Sequence, residues 1–423
     1  RVFICVFLLA MVLCFAGCGN DDVVSGYEQR IFTLESALAE QQTIVEDYEF
    51  RISELETELG KMKNSYKTLT SRVVDAEKNL AELEDEIDEV KGASDTNIRV
   101  FLADQYYLVV GDTFQLFYRS VIRAVDPYGY YIRVSGDKGH ALNRYFELQP
   151  EATDAGKTFN LTIDVCDSNG NVLGTDSTKL IVANNKTTTQ KTVLCIGDSL
   201  TSSGDWVSRG FSKYIAAGGK AVTIGTVHKT VSSVTYNYEG RGGWQWSSFL
   251  TKYDSSTYSP FNPTGSNLSI RDYCTKNGFG EITEFYIMMT FNGLPGVFTD
   301  FTFENSFIKD AKALIDLIHR EYPNAKISLM GLPLTSTNGG LGAYYQLNVA
   351  YHDNYGKAVT IHHYDDFLES WCKLPEYKSF MRYIDVKAQF DSEYNMPYDQ
   401  KQVNNTNTSV KEPVGNAMGM HPS

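Results

Sequence analysis

Basic residues are scarce in this 423-residue chain: 38 Lys and Arg stand against 52 Asp and Glu, a formal charge of −14. Neutralising a phosphate backbone needs a basic surface, so nucleic acid is excluded as a partner. Long apolar stretches are also lacking. The one candidate, Val2 to Ala16 (VFICVFLLAMVLCFA), is short of the roughly 20 residues that cross a bilayer and has the length of a signal-peptide core. No Met opens the chain, since residue 1 is Arg, so the 423 residues read as a lower bound on length. Cysteine is sparse: beyond Cys18 only Cys166, Cys195, Cys274 and Cys372 remain. Cys166 and Cys195 lie in strand-like runs (LTIDVC, VLCIG) and read as small buried hydrophobes. That leaves Cys274 and Cys372 as the one pair able to bridge, and free thiols are the expectation. No cluster of His, Cys and carboxylates has ligand spacing, so neither metal nor organic cofactor is implied; the adjacent His362 and His363 are badly spaced for one helix face. A composition 42% hydrophobic and 21% charged fits neither wholesale disorder nor collagen, and the length suits two or three domains.

Small residues precede Cys18. Phe15-Ala16-Gly17-Cys18 resembles a bacterial lipobox, with Phe15 where Leu is usual. The likeness implies a lipoprotein-type signal peptide over 1–18, lipidation of Cys18 and anchoring to a membrane. The alternative is a cleaved secretory signal. Either places the rest of the chain outside the cytoplasm, in a bacterial cell envelope.

Residues 27–92 read as a coiled-coil stalk. From Ile31, apolar residues recur at a (Leu38, Val45, Ile52, Leu59) and d (Leu34, Tyr48, Leu55, Met62), with only Gln41 polar in the seam and no Pro. A sustained 3.5-residue repeat predicts a left-handed coiled coil; β-branched a positions with Leu at d lean to a parallel dimer, with a trimer open. A helix folded back on later residues is the alternative. The stretch Tyr27 to Gly92 holds 17 acidic and 8 basic residues, so most of the net charge belongs to this rod. From 97 to 184 the period changes to two, as in Phe159–Val165, with a turn signal at Ser168-Asn169-Gly170; this predicts a small β-sandwich, Ig-like in size. A polar linker, Asn184 to Gln190, follows. From 191 to 423 strand runs (Thr192–Ile196, Phe285–Met289, Ile327–Met330) alternate with a helical pattern (Phe307, Ala311, Leu314, Ile315, Ile318), which predicts a parallel sheet covered by helices.

The first of these strands runs into Gly197-Asp198-Ser199-Leu200. A Ser at the carboxyl end of a strand in an open α/β sheet sits where ligands bind, although N-capping explains many such residues. The block resembles the nucleophile motif of the SGNH (GDSL) hydrolases. Gly240-Arg241-Gly242-Gly243-Trp244 is similar to the family's second block, Thr290-Phe291-Asn292-Gly293 to its third, and His421-Pro422 to its last. Asp391 to Pro397 also looks like a segment of bacterial relatives that join a β-sandwich to this hydrolase. The resemblance implies a flavodoxin-like three-layer α/β/α domain with Ser199 as nucleophile and His421 as general base. It further implies an oxyanion hole from the Ser199 N–H, the Gly243 N–H (Gly242 next best) and the Asn292 side chain. Preorganised donors suit acyl transfer, where losing one slows reaction by about 100- to 1000-fold.

Three departures stand out. Thr290 replaces a Gly, Gly293 replaces an Asp, and Met418 occupies the place, three before the His, where the family carries an Asp. A backbone carbonyl or a distant acid orients His421, or the site is weak; the reading adopted is a Ser–His dyad. Members of the family also continue beyond this His into a closing helix. The chain stops at Ser423, so the expectation is a C-terminally truncated, poorly active form. Trp244 and Trp246 offer a sugar-stacking platform or core packing. Together these readings predict an envelope esterase hydrolysing carboxylic esters, with acetylated polysaccharide as the favoured substrate and self-association through the stalk. The alternatives are a lipase or lysophospholipase, and a non-catalytic surface binding or scaffold protein.

Overall fold

The computed structural model describes residues 21–93, 98–124, 126–184, 189–294, 298–335, 355–396, 398–415 and His421. The N-terminal apolar run, Cys18 and Met418 lie outside the described residues. The chain forms two compact units, Arg1–Ser94 and Asp95–Ser423.

The described part of the first unit is one helix, α1 (Asp21–Ala93), of 73 residues. At 1.5 Å per residue it is about 110 Å long. No proline interrupts it. The a and d residues Leu38, Ile52, Leu55, Leu59 and Met62 are exposed, Met62 by 64%.

The second unit begins with a β block. Strands β2 (Gln105–Leu108), β9 (Val172–Val182), β8 (Thr158–Cys166) and β5 (Tyr131–Gly136) form one sheet, and β3 (Phe114–Phe117), β7 (Tyr145–Leu148) and β6 (His140–Ala141) a second. β1 (Arg99–Val100) pairs with β4 (Ile122–Arg123), and one helical turn, α2 (Tyr118–Val121), lies before β4. The two sheets share a core: Leu161, Ile163 and Val165 alternate inward along β8 and meet Leu116, Phe146 and Leu148. β8 and β9 turn at the expected Ser168-Asn169-Gly170, where Asp167 accepts from the Asn169 and Asn171 N–H groups and Gly170 takes φ +82°.

The α/β block follows. Its sheet runs β12 (Val227–Val231), β13 (Val234–Gly240), β10 (Lys191–Gly197), β14 (Glu284–Met288), β15 (Lys326–Met330), β16 (Met381–Ile384), with β11 (Ala221–Ile224) beside the first half of β10. All pairings are parallel except β12–β13. Counting β11/β13 as one position, the order is 2-1-3-4-5, that of a doubly wound sheet. After Lys191 and Thr192, β10 is apolar from Val193 to Ile196 because both its faces are covered there. Val193 and Cys195 pack under α4 (Asp205–Ala216) through Val207 and Phe211. Leu194 and Ile196 point to the other layer: α5 (Trp246–Leu250), α6 (Ile270–Asn277), α7 (Ser306–Glu321) and α8 (Tyr355–Lys373). A helical turn, α3 (Ser199–Ser202), follows β10 directly. The hairpin β17 (Tyr398–Gln402)–β18 (Lys411–Gly415) precedes His421.

The two blocks are fastened together. Phe101 stacks on His362 of α8 at 4.7 Å, Arg123 meets His363 at 3.1 Å, and Arg99 pairs with Asp366 at 2.9 Å. Beyond β16, Ala388 enters the β-block core, the Ser120 hydroxyl donates to the Phe390 carbonyl, and Arg144 pairs with Asp391 and Glu393, each at 2.9 Å. At this joint Lys387 lies buried between Asp365 and Asp385, 3.1 Å from each.

Candidate active site

The winding of the sheet reverses at β10, with β11 and β13 on one flank and β14 on the other, so its carboxyl end is the switch point at which doubly wound sheets bind ligands. Gly197 ends the strand where a Cβ would fall 2.0 Å from Thr201 Oγ1 and 2.5 Å from the Met288 carbonyl. Asp198 then caps α3, its Oδ1 accepting from the Leu200 N–H at 3.0 Å. Ser199, half-buried, is the first residue of that turn. Its Oγ lies 2.8 Å from His421 Nε2, across 222 residues of sequence. Desolvation lowers the His421 pKa below the ordinary imidazole value, which favours the neutral ring. With its proton on Nδ1, Nε2 is the acceptor for the serine proton. Among the described residues no carboxylate is bonded to His421.

Asp198 itself is wholly buried. Burial pushes it up to about 6, against the pull of the Leu200, Phe291 and Thr290 N–H groups that face it. Its Oδ2 has no hydrogen-bond partner. The carboxyl is thus bonded within its own loop and faces N–H groups of the loop after β14.

The second loop starts where Gly240 pairs with Gly197 in the sheet; a Cβ on Gly240 would lie 2.5 Å from the Thr201 carbonyl carbon. The Arg241 N–H donates to the Gly197 carbonyl at 2.9 Å. Buried Glu239 braces the loop, accepting from Arg241 at 2.6 Å, Thr226 at 2.7 Å and the Tyr273 hydroxyl at 2.6 Å. Gly243 has φ +79°, and a Cβ there would fall 2.7 Å from the Tyr253 hydroxyl, whereas Gly242 has open space. Gly243 is therefore the position of the two that requires glycine. Trp244 and Trp246 are buried, Trp244 stacked on Tyr253 at 5.8 Å, so neither is a sugar platform and the packing reading holds.

The third loop carries half-buried Asn292 in a 3₁₀ turn, Phe291–Gly293. Asn292 Nδ2 donates to the Trp244 carbonyl at 3.0 Å, which leaves its second amide proton for another acceptor. Gln245 Nε2 donates to the Asn292 carbonyl at 3.1 Å, and Lys357 Nζ to that of Leu294 at 3.0 Å. Thr290, before the turn, has φ +115°, a left-handed conformation that costs a β-branched residue about 1–3 kcal/mol.

The structure thus brings Ser199 and His421 together and links the Gly243 and Asn292 loops through Trp244. The four cysteines Cys166, Cys195, Cys274 and Cys372 are free and buried, so Cys274 and Cys372 are not bridged. Among the described residues no group of three or more His, Cys, Asp or Glu side chains could hold a metal ion. His362 and His363 belong to the joint described above, and His319 stacks on Phe380. Gln245 and Lys357 escape sequence reasoning because no local pattern marks a residue that reaches a loop tens of residues away.

No protein-family profile matches the chain, and no curated protein does. Solved structures do match. One is a protein from Chitinophaga pinensis described as a possible lipase, at 14% identity over 55% of this chain and 91% of that one, with a TM-score of 0.32. Another is the periplasmic domain of a lipopolysaccharide acetyltransferase from Salmonella ser. Paratyphi A, at 14% identity over 56% and 78%, TM-score 0.30. A third, provisionally described as a platelet activating factor from Streptococcus pneumonia, is 17% identical over 57% and 80%, TM-score 0.28.

Proposed function

We propose that this chain is a serine hydrolase that cleaves carboxylic esters, and the observation that carries the proposal is the 2.8 Å contact between Ser199 Oγ and His421 Nε2 at the end of β10. Ser199 Oγ attacks the acyl carbon while His421 Nε2 takes its proton. The carbonyl oxygen, now negative, is met by the Ser199 and Gly243 N–H groups and the free Asn292 amide proton. The ester C–O bond then breaks, and His421 returns its proton to the departing alkoxide. Water enters, gives its proton to His421 and attacks the acyl-serine; collapse releases the acid and returns the proton to Ser199. His421 works as a dyad partner; among the described residues no carboxylate is bonded to it.

The favoured substrate is an acetylated polysaccharide. That reading is supported by the export-type N-terminus and the attached β block; the buried Trp244 and Trp246 lend it nothing. The chain acts from the cell envelope, anchored through Cys18, and self-associates through α1. With a at Ile31, Arg51 and Glu58 fall at g while Glu56 and Lys63 fall at e. In a parallel, in-register pair Arg51 faces Glu56 of the second copy, and Glu58 faces Lys63 of the second copy.

A fluorophosphonate probe tests the chemistry. One adduct on Ser199 is expected, absent in Ser199→Ala and slowed about a thousandfold or more in His421→Ala. A folded, unlabelled protein would end the hydrolase reading and leave a binding role. Faster release of acetate than of long-chain acids supports the acetyl preference, and the reverse selects a lipase.

A further inference from the structure

Where the resemblance to the SGNH hydrolases calls for Gly, this chain holds Thr290 in a backbone conformation that glycine takes freely and threonine resists. What threonine adds is a hydroxyl, and the hydroxyl is fully used. Thr290 Oγ1 accepts from the indole N–H of Trp246 and lies 2.5 Å from the Tyr364 hydroxyl, which is 3.3 Å from the Met289 carbonyl. An indole only donates and a carbonyl only accepts, so the chain of bonds has one direction. Trp246 donates to Thr290, Thr290 to Tyr364, and Tyr364 to Met289. Thr290, Trp246 and Tyr364 are all buried, so each member of the network would otherwise be an unpaired polar group.

The network joins three elements: α5 after the second loop, the strand end that opens the third loop, and α8. Its centre lies two residues before Asn292, whose amide is held by the Trp244 carbonyl, two residues before Trp246. The Thr290 N–H also faces the Asp198 carboxyl beside the nucleophile. We infer that Thr290 is a positioning residue, which fixes the third loop against the second and so aims the Asn292 amide at the oxyanion. This inference rests on the hydrolase reading above. It replaces the flexibility of a glycine with a hydroxyl clamp.

The test uses the full chain with p-nitrophenyl acetate. Thr290→Val keeps the side-chain shape and removes the hydroxyl; kcat should fall about 10- to 100-fold with KM within about twofold, less than outright loss of a donor. Thr290→Ser keeps the hydroxyl and should retain at least about half of kcat. In an Asn292→Ala background, adding Thr290→Val should change kcat less than about twofold, because the residue acts through Asn292. The Trp246 indole proton, followed by NMR, should be shifted downfield in the wild type and Thr290→Ser and move upfield in Thr290→Val. An undiminished kcat in Thr290→Val, or an equal loss in both backgrounds, overturns the inference while leaving the hydrolase intact. If wild type is no faster than Ser199→Ala, both fall. Should Thr290→Val not fold, Tyr364→Phe, which cuts the same chain of bonds one step on, must reproduce the kcat loss or the inference fails.

Discussion

Desolvation keeps the His421 imidazole neutral at pH values where an exposed histidine already carries a proton. In the proposed mechanism protonated His421 cannot accept from Ser199, so activity would fall as pH drops through the pKa, and a lowered pKa moves that fall downward. The acid limb of kcat/KM is therefore expected below pH 6.5; a limb at or above 6.5 would contradict the burial of the ring. Asp198 behaves in the opposite sense. Its pKa is raised from 3.8 to about 6, so the folded protein binds a proton that the unfolded chain has released across that window. Stability from this group is present below pH 3.8 and is lost as pH rises to about 6. Asp198→Asn removes the effect. Urea midpoints of wild type and variant, measured from pH 4 to 7, should diverge in the variant's favour as pH rises, and a constant difference would show that Asp198 ionises freely.

Among the elements, α1 makes the sharpest prediction. Leu34→Cys at a d position should give a disulfide-linked dimer under mild oxidation in the full chain, above any seen without the substitution, because a parallel in-register pair brings position 34 against itself whereas a fully overlapped antiparallel pair sets it near position 80. Glu58→Lys should weaken association several-fold in light scattering, and Lys63→Glu added to it should restore the association. The strands show what local sequence can carry. Thr192–Ile196, Phe285–Met289 and Ile327–Met330 were legible as apolar runs and lie within a residue of β10, β14 and β15. The β12–β13 hairpin was not, because its turn is Ser232-Ser233, both at positive φ, where glycine or asparagine normally gives the signal. Ser199, Asn292 and His421 stand as candidates through motif likeness, and Ser199 and His421 are in contact. The Thr290 clamp was visible only as a misfit, since its partners Trp246 and Tyr364 are 44 and 74 residues away.

For the molecule as a whole, the joint between the β and α/β blocks decides stability. Lys387 is almost fully buried between two carboxylates; burial holds Asp365 raised, at about 6, even with the Lys387 charge pulling it down. Removing the lysine leaves two buried acids without a counter-charge, although Asp385 still accepts from the Tyr106 hydroxyl and Asp365 from the Leu332 N–H. Lys387→Met should destabilise the Asp95–Ser423 unit by about 3–5 kcal/mol in urea unfolding, and a loss under about 1 kcal/mol would mean the acids find other partners.

The same joint limits how the protein can be dissected. The polar linker at 184–190 invites a cut that would release the α/β block for separate study. Yet the bonds from Asp104, Ser120 and Arg144 to residues 369, 390 and 391 span 265, 270 and 247 positions and cross that cut. The stretch from 385 to 396, which leads towards His421, would lose the surface it is folded on. In engineering terms the two blocks are one part, and a shortened catalytic version has to carry the β block with it.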